Sequence, residues 1–66
     1  MRSIKLTAQQ RKDIRDGKTV NVTTKEGDTI IVTPWLVAWA KAQFAAGQPI
    51  TVLAEIAGNG MEEVTL

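Results

Sequence analysis

Thr33 to Gly47, read as TPWLVAWAKAQFAAG, is the most apolar run of the chain and holds both tryptophans, the only phenylalanine and five alanines. Thr33 is placed to cap the first amides, Pro34 suits a first helical turn, and Gly47 followed by Pro49 stops a helix. These signals predict a helix over 34–46. At about 100° per residue, Leu36, Val37, Ala40 and Phe44 form one face, and Trp35, Trp39, Ala42 and Ala46 form a second, roughly opposite face. Only Lys41 and Gln43 are polar between Pro34 and Gly47. A helix that is apolar nearly all round is covered on more than one side, so the rest of the chain must supply one cover and something must supply the other.

The flanking segments supply the first cover. Ser3 to Leu6 alternates Ile4 and Leu6 against Lys5, which suits a brief edge strand. Thr7 then begins a helix with a capping box to Gln10, running to Asp16 and ended by Gly17. Ala8 and Ile14 are its only apolar residues, so it reads as a covering helix with a basic exterior. Lys18 to Thr33 reads as a β-hairpin around Lys25-Glu26-Gly27, with Gly27 left-handed, Val22 opposite Ile30 and Val20 opposite Val32. Ile31 is the odd apolar residue on its outer face. Ile50 to Leu66 reads as a second hairpin around Gly58-Asn59-Gly60. A two-residue turn there would mix the faces. A three-residue loop keeps Val52, Ala54, Ile56 and Val64 on one face, with Leu53, Glu55, Glu63 and Thr65 on the other, and sets Glu55 across from Glu63.

The fold class expected from this order is α+β, one small domain over residues 1–66. Two helices pack on an antiparallel sheet of four or five strands in the order (β)-α-β-β-α-β-β. Helix-to-strand turns recur at Gly17 and Gly47, thirty residues apart, but a shared preference for Gly then Val and Ile explains that without duplication.

With 66 residues, the chain buries only about 60% of the surface its unfolded form exposes. No cysteine and no histidine are present. Disulfides, thiolate metal sites, the usual imidazole ligand and the usual neutral-pH proton carrier are therefore all missing, and no cofactor or metal is expected. Gly17-Lys18-Thr19 fails as a phosphate loop, because Lys12 stands where the first glycine is needed and the helix comes before the strand. The carboxylate pairs Asp13 with Asp16, and Glu55 with Glu62 or Glu63, fall on exposed positions with nothing to shift their protonation. The chain is not expected to be an enzyme.

Binding remains. Residues 1–25 carry seven bases against two acids, and residues 26–66 one base against five acids. Arg11, Lys12, Arg15 and Lys18 therefore make a candidate surface for a charged partner, nucleic acid included, although Asp13 and Asp16 interrupt it. Trp35 and Trp39 are either covered within the monomer by the stems of the first helix or covered by a second protein. The small side chains of Ala38, Ala42 and Ala46 would let that protein approach closely, and a second copy related by a twofold axis is the simplest candidate. No apolar stretch follows the basic N-terminus and the apolar helix is too short to span a bilayer, so no membrane partner and a cytoplasmic location are expected. In its small size and lack of catalytic groups the chain resembles the small proteins that phages and mobile elements make to bind and block host machinery. That resemblance implies a protein-binding inhibitor that occupies a surface on a larger target, and the tryptophan face adds the expectation of a homodimer through the central helix; nucleic-acid binding through the first helix is the alternative.

Overall fold

A computed structural model describes residues 2–66. The chain runs β1 (Arg2–Ser3), α1 (Ala8–Arg15), β2 (Val20–Thr23), β3 (Thr29–Val32), α2 (Ala38–Ala45), β4 (Thr51–Ile56) and β5 (Gly60–Thr65). The five strands form one curled sheet in the order β1-β5-β4-β3-β2. The α+β class and the order of elements are as expected. Every pairing is antiparallel except that of β1 with β5, which is parallel.

Local signals account for most of the elements. Thr7 Oγ1 accepts from the Gln10 amide at 3.1 Å and Gln10 Oε1 accepts from the Thr7 amide at 2.9 Å, closing the predicted capping box. Both helices end alike. Lys18 N–H donates to the Asp13 carbonyl at 2.8 Å and Gln48 N–H to the Gln43 carbonyl at 2.9 Å. In each case the intervening glycine takes the left-handed conformation that closes such an end, φ being 91° at Gly17 and 81° at Gly47. In the first hairpin Val20 pairs with Val32 and Val22 with Ile30, as the alternation requires, and Thr24 N–H donates to the Asp28 carbonyl to enclose the three-residue loop.

Three expectations are corrected. The first strand covers Arg2–Ser3 and not Ser3–Leu6, its ladder with β5 ending at the Ser3–Thr65 pair. The second helix does not start at Pro34. It begins at Ala38 with Val37 as a cap that offers no side-chain acceptor. Residues 33–37 are spent crossing from the end of β3 to the helix, with Leu36 N–H donating to the Pro34 carbonyl at 2.9 Å in a tight turn that a helix cannot contain. Thr33 does not cap α2 because it lies four residues before Val37, the residue that holds the cap position. The second hairpin turns through Ala57-Gly58-Asn59, with Gly60 already opposite Ile56, so Glu55 faces Met61 and Leu53 faces Glu63. The two-residue slip preserves which side chains face the core and removes the expected Glu55–Glu63 repulsion. Its cause is Gly60, which sits at φ 83° and lets pairing resume immediately after the turn.

The core gathers Ile14 from α1, Phe44 and Ala40 from α2, and Ile30, Val32, Ala54, Ile56 and Val64 from the sheet, with Ile4, Leu6, Leu36, Ile50 and Leu66 closing its ends. Val22 and Val52 pack at its margin. Arg2 crosses the open end of the curled sheet, its guanidinium donating to Asp28 Oδ2 at 2.9 Å and lying 3.5 Å from Glu62 Oε1. The hydrogen bond to Asp28 raises the Arg2 pKa above its ordinary value. A pair this exposed adds little stability; its effect is to hold β1 near the β2–β3 turn. No helix among the described residues is long and apolar enough to cross a membrane.

Candidate protein-binding groove

The β3–β4 ladder holds only two residue pairs, Ile30 with Ile56 and Ile31 with Glu55. The paired register ends there, and residues 33–37 then lead from β3 to α2. An open cavity of ≈ 390 Å³ lies there, bounded by the crossing, the start of α2, β4 and Met61 of β5. Trp35 is 90% exposed, Trp39 69%, Leu53 63%, Met61 62% and Val37 56%, and all five line this one groove. They are all the large exposed hydrophobics among the described residues.

This placement corrects the helical-wheel reading in two ways. Val37, assigned to the core face with Leu36, Ala40 and Phe44, is at the groove rim, while the other three are buried. Trp35 and Trp39 do not share a helical face, because Trp35 precedes the helix; they meet in the groove from two different segments. Neither ring is covered within the monomer, so the stems of α1 do not serve as their cover. Ala38, Ala42 and Ala46 are exposed, and none of them lines the groove. Wheel geometry placed neither Leu53 nor Met61 in the groove, yet a leucine on the outward register of a strand was a legible sign that the outer face carries apolar surface.

The four cations singled out on the first helix and beyond do not act alike. The Arg11 guanidinium donates to the Phe44 carbonyl at 2.8 Å and lies 4.5 Å from the centroid of the Phe44 ring. It ties α1 to the C-terminal end of α2 and is not a free contact residue. Lys12, Arg15 and Lys18 are exposed, and no ion pair engages them among the described residues. Replacing Arg11 with Met is expected to cost about 1–2 kcal/mol, from a charged donor to a half-buried carbonyl and the ring contact. Thermal unfolding followed by circular dichroism should then show a midpoint lowered by roughly 4–8 °C per kcal/mol, while Lys12→Met stays close to the parent. An unchanged midpoint in Arg11→Met would return that residue to the free cations.

The carboxylates do not assemble into a site. Asp13 accepts from Gln9 Nε2 at 2.9 Å, Asp28 and Glu62 are engaged by Arg2, and no group of three acids that could hold a metal occurs among the described residues. Comparison of the chain with protein-family models, with curated proteins and with solved structures gives no match.

Proposed function

We propose that this chain is a small, cytoplasmic, non-enzymatic protein-binding module that pairs with a second copy through the Trp35–Trp39 groove and blocks a surface on a larger host protein, in the manner of a phage- or mobile-element-type inhibitor. The observation that carries the reading is the gathering of every large exposed hydrophobic among the described residues into one groove. With ~250 Å² for each tryptophan and somewhat over ~100 Å² for each of the other side chains, the five expose about 600 Å². That is at the upper end for the largest apolar patch of a monomer, roughly 300–600 Å². Two copies would bury about 1,200 Å², the lower bound of stable specific interfaces, before any contribution from Ala38, Ala42 and Ala46.

Self-complementarity supports a twofold pairing. The patch contains both a projecting ring, Trp35, and a recess bounded by Trp39, Leu53 and Met61, which are the two halves that an isologous contact requires of a single surface. In such a dimer the basic side of α1, with Lys12, Arg15 and Lys18, stays free for the target. The same free cations support nucleic-acid binding as a second reading, weakened by Asp13 and Asp16 among them and by the loss of Arg11 to Phe44. Light scattering behind size exclusion at high micromolar concentration is expected to return twice the 7.2 kDa chain mass. A monomer under those conditions overturns the dimer.

A further inference from the structure

The sheet is curled and open, and its two edges face each other. β1 and β2 are the outermost strands. Between them lies a cavity of ≈ 350 Å³, lined from Arg2 to Lys5 on one wall and from Val22 to Glu26 on the other. We propose that this seam is the docking site for an extended acidic segment of the target protein, which adds as a sixth strand between β1 and β2.

The backbone directions make the slot. Ile4 N–H donates to the Thr65 carbonyl at 2.7 Å, toward β5, and Thr24 N–H donates to the Asp28 carbonyl at 2.8 Å, toward the β3 side. Successive residues of a strand turn their N–H and C=O groups to opposite edges, so Ser3 on one wall and Asn21 and Thr23 on the other present theirs to the seam. The same alternation makes Thr29 and Ile31 face β4, and Ala57 N–H does donate to the Thr29 carbonyl at 2.9 Å. Following the ladder across the sheet, β2 runs antiparallel to β1. An inserted strand would therefore be parallel to one wall and antiparallel to the other, hydrogen-bonded on both sides. The Arg2–Asp28 link joins β1 to the β2–β3 turn and marks one end of the seam.

The side chains select the occupant. Ile4 and Val22 form the inward floor, which suits apolar residues at alternate positions of the incoming segment. On the rims stand Lys5 and Lys25, both exposed and without an ion-pair partner among the described residues; Glu26 is the only acid lining the seam, and the charge of Arg2 is already met by Asp28 and Glu62. Lysines on a single sheet edge ordinarily discourage pairing. Here two edges face one gap, so the same lysines discourage a second copy and favour an acidic strand. Strand addition of this kind takes affinity from main-chain hydrogen bonds and specificity from alternate side chains. The inference rests on the protein-binding reading and is independent of the dimer.

The test is amide hydrogen exchange by NMR on the full chain, with an eight-residue peptide alternating valine and glutamate and a matched valine–lysine peptide, each at millimolar concentration. The glutamate peptide is expected to slow exchange at Ser3, Asn21 and Thr23 by tenfold or more, in wild type and equally in Trp35→Ala/Trp39→Ala. Lys5→Glu/Lys25→Glu, which alters only exposed side chains, should transfer the response to the lysine peptide. No slowing with either peptide overturns the seam as a docking site. Equal slowing with both overturns its acidic preference. Slowing that grows with protein concentration in the absence of peptide assigns the seam to edge pairing between copies. Loss of the response in the Trp variant alone would place peptide binding in the groove instead.

Discussion

In the Trp35→Ala/Trp39→Ala variant, light scattering at high micromolar concentration is expected to return the single-chain mass of 7.2 kDa, with the fold intact. Tryptophans at the centre of an interface commonly contribute 2 kcal/mol or more each, so losing two weakens association by roughly a thousandfold or beyond. Their contribution to the isolated fold is small. Trp35 is 90% exposed, and surface substitutions of that kind shift stability by about ±0.5 kcal/mol. Far-ultraviolet circular dichroism and the NMR amide spectrum should therefore remain those of a folded α+β domain. A folded dimer in this variant would move the interface elsewhere. Unfolding of the single variant Trp35→Ala would mean that the fold exists only as a dimer, and its stability would then rise with protein concentration.

Phe44→Ala is expected to do the opposite and unfold the chain. Phe44 is 1% exposed, and truncating a buried phenylalanine costs about 3–5 kcal/mol through lost transfer energy and the cavity left behind. The ring is also the platform for Arg11, whose guanidinium lies 4.5 Å from its centroid. At about 0.05–0.15 kcal/mol per residue, a domain of 66 residues has a total stability of only about 3–10 kcal/mol, so this loss removes much or all of it. Urea titration should show Phe44→Ala largely unfolded without denaturant. A cooperative transition displaced by less than about 1 kcal/mol would mean the core closes around the gap, and would overturn the central position assigned to Phe44. Trp39 and Phe44 stand five residues apart on one helix, and the contrast between them separates contact surface from core.

That contrast was only half legible beforehand. Leu36, Ala40 and Phe44 belong to the buried face by spacing alone, and they are buried. Val37 belongs to it by the same spacing and is exposed, because the helix starts only after it. The groove was legible as two tryptophans without a cover. Its other members were not, since Leu53 and Met61 come to it through the strand pairing of the second hairpin. Arg11 looked like its neighbours Lys12 and Arg15, and nothing within its own helix indicates that a carbonyl thirty-three residues away would take its guanidinium.

What the sequence determined by itself is whatever closes over a few residues. The Thr7–Gln10 capping box, the two helix ends at Gly17 and Gly47, the register of the first hairpin and the inward alternation of the strands are each satisfied by atoms three to twelve positions apart. For these a residue's neighbours in sequence are also its partners. What only the tertiary structure decided is whatever depends on partners far along the chain: the late start of α2, the parallel seating of β1 on β5, the diversion of Arg11 to Phe44, and the exposure of both tryptophans. A side chain's burial is set by which surfaces arrive opposite it. For Trp35 and Trp39 this chain folds with no such surface arriving, and so leaves both rings exposed.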